Sequence, residues 1–429
     1  MAMSISIPGN QRRPTQVHEP ARAEPARKEF WTPGVYALIV LAGIAVVIAI
    51  YRFVYGLSAV TNLDQEYPWG IWIALDVATG VALAAGGFTT AAALTHIFHR
   101  HRYEVLVRPA LLTAMLGYTF VALGLTVDLG RYYNMWHPLM PSMWQGNSVL
   151  FEVGMCVVIY LNVLYIEFLP IVCERFIGAV HLPGLLARFN QPVDSLLRFL
   201  DRTLSRVMFL FIIAGVVLSC MHQSSLGGLL LIAPYKMHPL WYTPILPFLF
   251  LLSAIAVGFP MVIFESLLAS KSFGRKPEMH VLTPLARLVT LTLGIYMIAK
   301  IADLLIRDAY VYLFDGSFES WMFLAEMFFG GFLPMGMLLS DKVRFSPNLL
   351  LASTTLVVLG VAFNRINVFL VAYQPPYAQK AYFPSLGEIF FTVGMIAALM
   401  LVYRAAVTIF PILPPGHKPS SRVLIKQEG

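Results

Sequence analysis

The 429-residue chain is 58% hydrophobic and only 12% charged, with a formal net charge of +7. Soluble domains are about one-quarter charged, so a soluble fold is excluded, and basic loops facing anionic head groups account for the charge without a nucleic-acid partner. The three cysteines, Cys156, Cys173 and Cys220, share no short spacing, which excludes a four-thiolate cluster and argues against a disulfide framework.

Residues 1–32 form a polar tail bearing Pro8, Pro14, Pro20 and Pro25; it reads as disordered and lacks the features of a secretory signal. Ten apolar runs follow, at roughly Pro33–Tyr55, Gly70–Ile97, Val107–Gly130, Asn147–Cys173, Val207–Ala233, Tyr242–Ser270, Leu285–Ile306, Ser320–Ser340, Asn348–Ala372 and Leu386–Phe410. Each reaches the roughly 20 residues that a helix needs to cross a hydrocarbon core. The runs predict an all-α, ten-span membrane domain over 33–413, closed by a second tail at 414–429, with Glu174–Arg206 as the longest internal gap.

Of the 30 Lys and Arg residues, 23 lie in the N-terminal tail or in and beside the gaps after even-numbered runs, against four after odd-numbered runs. Loops rich in Lys and Arg stay in the cytoplasm, so both termini are expected there. Sequence number then becomes depth, at about 1.5 Å per residue. Asp76 (span 2), Asp128 and Arg131 (end of span 3), Glu152 (start of span 4), His222 and Gln223 (span 5) gather in the outer half. So do Lys300 and Asp303 (span 7), Glu326 (span 8), Arg365 (span 9) and Glu388 (start of span 10).

A charge at such depth costs at least about 2–3 kcal/mol, which ion pairing offsets: Lys300 and Asp303 share a helical face, and Arg365 can neutralise Glu326. Pairing explains the set incompletely, because acids outnumber bases and a histidine lies among them. That mixture suits a quinone or proton site. In the inner half, Glu167, with Asn162 above it, and Glu265 read equally as a proton path or as groups snorkelling to the interface. Gly86-Gly87, Gly227-Gly228 and Pro260 read as packing positions. A b-type haem needs two facing imidazoles, and only His222 lies deep; His96, His99 and His101 sit at the cytoplasmic end of span 2. No haem, iron–sulfur cluster or metal ion is therefore expected in this chain.

The motif YPWGIWIALD at 67–76 resembles the entry to the second span in polysulfide-reductase-type (NrfD/PsrC) membrane subunits. VRPALL at 107–112, DLGRY at 128–132, NSVLFE at 147–152, MHQSSLG at 221–227, KMHPLW at 236–241, YFP at 382–384 and PILPP at 411–415 sharpen the resemblance to the HybB-type membrane subunits of hydrogenase 2-type nickel–iron hydrogenases. It covers roughly residues 33–415, in order.

The resemblance implies two four-helix bundles, spans 2–5 and 6–9, with outer helices 1 and 10, in a bacterial inner membrane. It implies a chain that is not catalytic alone. Such a chain passes electrons between a periplasmic ferredoxin-like iron–sulfur subunit, with hydrogenase or other redox subunits, and menaquinone or ubiquinone as exchangeable substrate. The family pattern places the quinone beside Trp69, Asp76, Asp128, Arg131, Glu152 and His222. His222 and Asp76 are then expected to donate to the head group, with Trp69, Trp72 and Gln223 lining the pocket and Arg131 stabilising charge or anchoring Asp128. Glu167, Glu265, Lys300, Asp303, Glu326 and Arg365 form the expected proton network, with bundle-locking as its rival reading. A secondary transporter or a purely structural anchor are the competing functions.

Overall fold

The computed structural model describes residues 23–26 and 29–414. The expected disorder of both tails falls largely on positions outside the described residues. Within the described part of the tail, the Glu24 N–H donates to the Leu413 carbonyl (3.0 Å) and the Ala26 N–H to that of Val407 (2.9 Å).

Among the described residues, ten helices are long and apolar enough to cross a membrane: α1 (Pro33–Tyr55), α2 (Trp72–Ile97), α3 (His101–Asp128), α4 (Val149–Phe176), α5 (Leu186–Leu231), α6 (Leu246–Phe273), α7 (Met279–Ile306), α8 (Phe318–Leu339), α9 (Pro347–Val371) and α10 (Leu386–Ile409). The face of the helix layer at which α1 starts and α10 ends is termed terminal, the other distal. Each predicted run holds one helix.

The largest departure is α5. The expected gap over Glu174–Arg206 is not mainly loop, because the α-helical part of α5 runs over Asn190–Leu231, 42 residues or about 63 Å. Charged residues end the apolar run near Val207, yet nothing between Val193 and Ala214 is glycine or proline, so the helix continues. Pro192 sits in its first turn, where a missing N–H costs nothing. Asp194 fastens this extension by accepting from the Gly178 N–H (2.6 Å).

Contacts run α2–α3, α3–α4, α4–α5 and back from α5 to α2, and likewise α6–α7, α7–α8, α8–α9 and back from α9 to α6. The two circuits meet along α2 and α6, the most buried helices. Here a Cβ on Gly86 would lie 2.6 Å from the Ala254 carbonyl oxygen, and one on Gly258 would overlap the carbonyl of Gly86. Only glycine permits this crossing. Gly227 packs on Pro247, and Pro260 is buried inside α6, as the packing reading expects. Helices α1 and α10 pack on each other and against α3 and the start of α2.

Among the described residues four stretches have π-helical turns, including Trp72–Thr79 at the distal start of α2 and Asn367–Val371 at the distal end of α9, and these two touch. Such wide turns re-aim side chains and concentrate at functional sites.

Candidate functional site

At the distal end, α10 opens on a capping box. The Ser385 hydroxyl accepts from the Glu388 N–H (3.1 Å), and the Glu388 carboxylate accepts from the Ser385 N–H (2.8 Å). Glu388 is fully buried, and it accepts also from the Asn62 N–H (3.0 Å) and the Tyr382 hydroxyl (2.5 Å). Tyr382 in turn accepts from the Ile71 N–H (3.1 Å). Burial, reinforced by the bond to Glu388, raises the Tyr382 phenol well above its ordinary range. A Cβ on Gly70 would overlap the Tyr382 hydroxyl, which explains the glycine after Trp69. Trp72 donates its indole N–H to the Glu388 carbonyl (3.0 Å) and lies 4.8 Å from the Phe391 ring.

Around this fully bonded knot sit two less satisfied acids. Asp76 accepts from Thr392 of α10 (2.9 Å). Asp128 ends α3, and its Oδ1 is buried with no hydrogen-bond partner. Arg131, expected beside Asp128, is exposed on the α3–α4 connection. The guanidinium that reaches this helix end is Arg52 of α1, buried and donating to the Val127 carbonyl (2.5 Å) and to that of Leu129, on either side of Asp128. Trp72 and Trp69 diverge. Trp72 is core, whereas half-buried Trp69 faces Phe369 (6.2 Å) and Tyr373 (6.5 Å) of the second circuit.

His222 belongs to a separate set between α3, α4 and α5. Its Nδ1 shares a 2.9 Å hydrogen bond with the Tyr118 hydroxyl, and Tyr118 packs edge-on against Tyr160 (4.6 Å). His222 Nε2 and both amide atoms of Gln223 are buried without partners. Glu152 is exposed and accepts from Ser225 (2.5 Å). Among the described residues no hydrogen bond or ion pair joins the Asp76 and His222 sets.

The second circuit holds a different network. Glu326 pairs with Lys300 and accepts from Trp241 (3.0 Å), Asn364 (2.8 Å) and Asn367 (2.8 Å). Lys300 thus reaches across to α8, not along its own helix to Asp303. Asp303 pairs with Arg307 (2.8 Å) and accepts from Thr243 (2.6 Å). Nor does Arg365 bond Glu326 directly; it donates to Asn364 (2.6 Å) and Ser253 (2.7 Å) over the Phe250 ring. Trp241 explains the KMHPLW motif, whose His238 N–H also donates to the Ala372 carbonyl (2.8 Å). Towards the terminal face, Glu265 accepts from Tyr403 (2.8 Å). Glu167 is buried with both oxygens unbonded, and Asn162 is exposed, bonded back to Val158, so it does not extend a path from Glu167.

Sequence reasoning named the acids and His222. It missed Arg52 as Asp128's neighbour and the partners Tyr118, Tyr160, Tyr382, Thr392, Asn364 and Asn367. A lone arginine in an otherwise apolar run was the available signal for Arg52; neutral hydroxyls and amides carry none at this hydropathy.

A two-imidazole haem does not fit these residues. Among the described residues His222 is the buried histidine and the remaining histidines are exposed or half-buried, so no second imidazole lies at depth to face it. Among the same residues no group of three or more His, Cys, Asp or Glu side chains is arranged to hold a metal ion.

The family model described as "Polysulphide reductase, NrfD" matches residues 59–376. The chain is 36% identical over 375 residues to the "Probable Ni/Fe-hydrogenase 2 b-type cytochrome subunit" of Escherichia coli, covering 87% of this chain and 90% of the relative. It is 28% identical to the "Menaquinone reductase, integral membrane subunit" of Nitratidesulfovibrio vulgaris, covering 85% and 88%. It is 26% identical to a selenate reductase subunit of Mesobacillus selenatarsenatis, covering 83% and 88%. The relatives are named as subunits of redox enzymes, one of them as an integral membrane subunit, and with ten apolar helices among the described residues the chain is a multi-pass integral membrane protein.

Proposed function

Because this chain belongs to the polysulphide reductase NrfD family, we propose that it is the quinone-reactive membrane subunit of a multi-subunit oxidoreductase. It passes electrons between an iron–sulfur partner on the distal face, as in a nickel–iron hydrogenase complex, and menaquinone or ubiquinone in the bilayer. The distal face is then periplasmic and the chain ends cytoplasmic, in agreement with the distribution of Lys and Arg. The two contact circuits act as two four-helix bundles, with α1 and α10 outside them. The relative named as a menaquinone reductase subunit supports the choice of substrate.

One observation carries the reading. One carboxylate oxygen of Asp128 is buried without a partner among the described residues, and Asp76 accepts a hydrogen bond from Thr392, beside a Glu388 knot that is fully bonded. A buried carboxyl left incompletely bonded costs free energy, and exchange of protons with an incoming ligand is what it is fitted to do. A quinone takes up two electrons and two protons to become quinol, one proton at each carbonyl oxygen. Asp76 donates to one oxygen, Asp128 exchanges with the other, and Arg52 offsets the charge that develops. Trp69, at the mouth between the circuits, guides the ring. His222, enclosed and bonded to Tyr118, acts as a relay and does not touch the ligand.

The test uses the assembled complex with menadione as acceptor. Asp76→Asn and Asp128→Asn should lower menadione reduction at least about 100-fold, while viologen-linked activity of the partner subunits is retained. An undiminished menadione rate in both variants would sink the reading.

A further inference from the structure

The interior of the second circuit, in its distal half, sets three cations, Lys300, Arg307 and Arg365, against two acids, Asp303 and Glu326. Lys300 pairs with Glu326 and Arg307 with Asp303 (2.8 Å), which leaves Arg365 over. Arg365 is 0% exposed, and among the described residues the groups it bonds are neutral. It donates to the Asn364 side-chain carbonyl (2.6 Å), the Ser253 hydroxyl (2.7 Å) and the Phe250 carbonyl (3.3 Å), with the centre of the Phe250 ring 3.7 Å away. Its Nε is buried without a partner. A guanidinium keeps its proton in a protein, so a full charge stands here without a counter-charge, a costly arrangement within a membrane.

The two residues that flank Arg365, Phe250 of α6 and Asn364 of α9, also line a cavity of about 20 Å³. That is room for one occupant the size of water. Lys300 and Tyr296 of α7 line it too. An ammonium has three N–H groups and an amide two, and Glu326 takes one from each of Lys300 and Asn364. Both therefore keep N–H groups for an occupant, and Tyr296 adds a hydroxyl. Asp303 shares the lining, but Thr243 (2.6 Å) and Arg307 (3.0 Å) engage its two oxygens.

We propose that this cavity is a binding site for one monovalent inorganic anion of halide size, which accepts from Lys300, Asn364 and Tyr296 and supplies the counter-charge to Arg365. The site is separate from the quinone acids and does not depend on the quinone reading. A water molecule would fill the same space and accept the same bonds, yet it would leave the excess positive charge standing. Charge therefore favours the ion, and the small volume excludes sulfate and organic anions such as gluconate. By joining Lys300 of α7 to Asn364 of α9, the bound ion closes the circuit on the side opposite Glu326. Occupancy accordingly stabilises the folded chain by mass action.

The experiment uses the assembled complex, purified in potassium gluconate without halide and titrated with chloride or bromide at constant ionic strength. The readout is the thermal midpoint at which this subunit leaves the soluble fraction. In wild type the midpoint should rise and saturate with either halide, and sulfate should give no such rise. Tyr296→Phe, which removes one neutral donor, should raise the half-saturating chloride concentration about tenfold. Arg365→Leu, which removes the excess charge, should abolish the response. A wild-type midpoint that responds equally to sulfate, or does not respond at all, overturns the site, as does an undiminished chloride response in Arg365→Leu. Should Arg365→Leu fail to assemble, wild-type crystals grown in bromide decide. An anomalous peak between Lys300 and Asn364 supports the anion, and density for water alone overturns it.

Discussion

Glu326 in the second circuit and Glu167 in the first are carboxylates buried to the same degree, 4% and 5% exposed, yet their surroundings are opposite. Glu326 draws in Lys300, Trp241, Asn364 and Asn367, joining the α5–α6 connection, α7, α8 and α9 around one charge. Glu167 has no hydrogen-bond partner among the described residues. Burial alone therefore does not identify a working acid. A group that has recruited every donor it can accept from is an anchor, whereas one left open is available for exchange.

The sharpest way to break that contrast is to remove one side of the anchor. Lys300→Met leaves Glu326 buried without a cation and should destabilise the assembled complex by about 3–5 kcal/mol, read as a lowered thermal unfolding midpoint; adding Glu326→Leu should restore most of it. Glu167→Gln, which breaks no bond, should change stability by less than about 1 kcal/mol. Equal losses in the two variants would erase the distinction between anchor and exchanger.

Tyr382→Phe tests the knot beside the quinone acids. It removes one of the donors to Glu388 and should cost about 1–2 kcal/mol in the same unfolding assay. Because burial raises this phenol, the loss should be independent of pH from about 6 to about 9. The smallest effect is expected at His238, which burial holds below its ordinary value of 6.5 against the opposing pull of Glu319 and Asp315. The unfolded chain then binds a proton that the folded chain does not. Stability from this site is complete above pH 6.5 and declines as pH falls below it, so His238→Asn should flatten the acid limb of the unfolding profile. An unchanged acid limb would remove His238 from that account.

The same contrast explains what the sequence reveals. The ten spans are legible because apolar runs and the placement of Lys and Arg are long-range averages that few single residues disturb. The start of α5 is not, since an amphipathic, charged helix of Asn190–Arg206 looks like a loop to any reading based on apolar runs. Charged site residues stand out one at a time against an apolar background, but their pairing does not. Lys300 is three residues from Asp303 and reaches Glu326, 26 residues away; Asp128 is near Arg131 in sequence and lies beside Arg52. Helix spacing ranks local partners, while the packing of α1 on α3 and of α7 on α8 decides the outcome. Nor do residue types forecast the π turn that begins at Trp72.

In the proposed function a quinone head group sits where the start of α2, the end of α3 and the start of α10 converge. Photolabelling the purified complex with an azido-quinone, followed by peptide mapping, addresses it directly. Label is expected on the peptides spanning Trp69–Asp76 and Tyr382–Thr392, displaced by excess menadione. Label confined to α7–α9, or label that menadione does not displace, would contradict it.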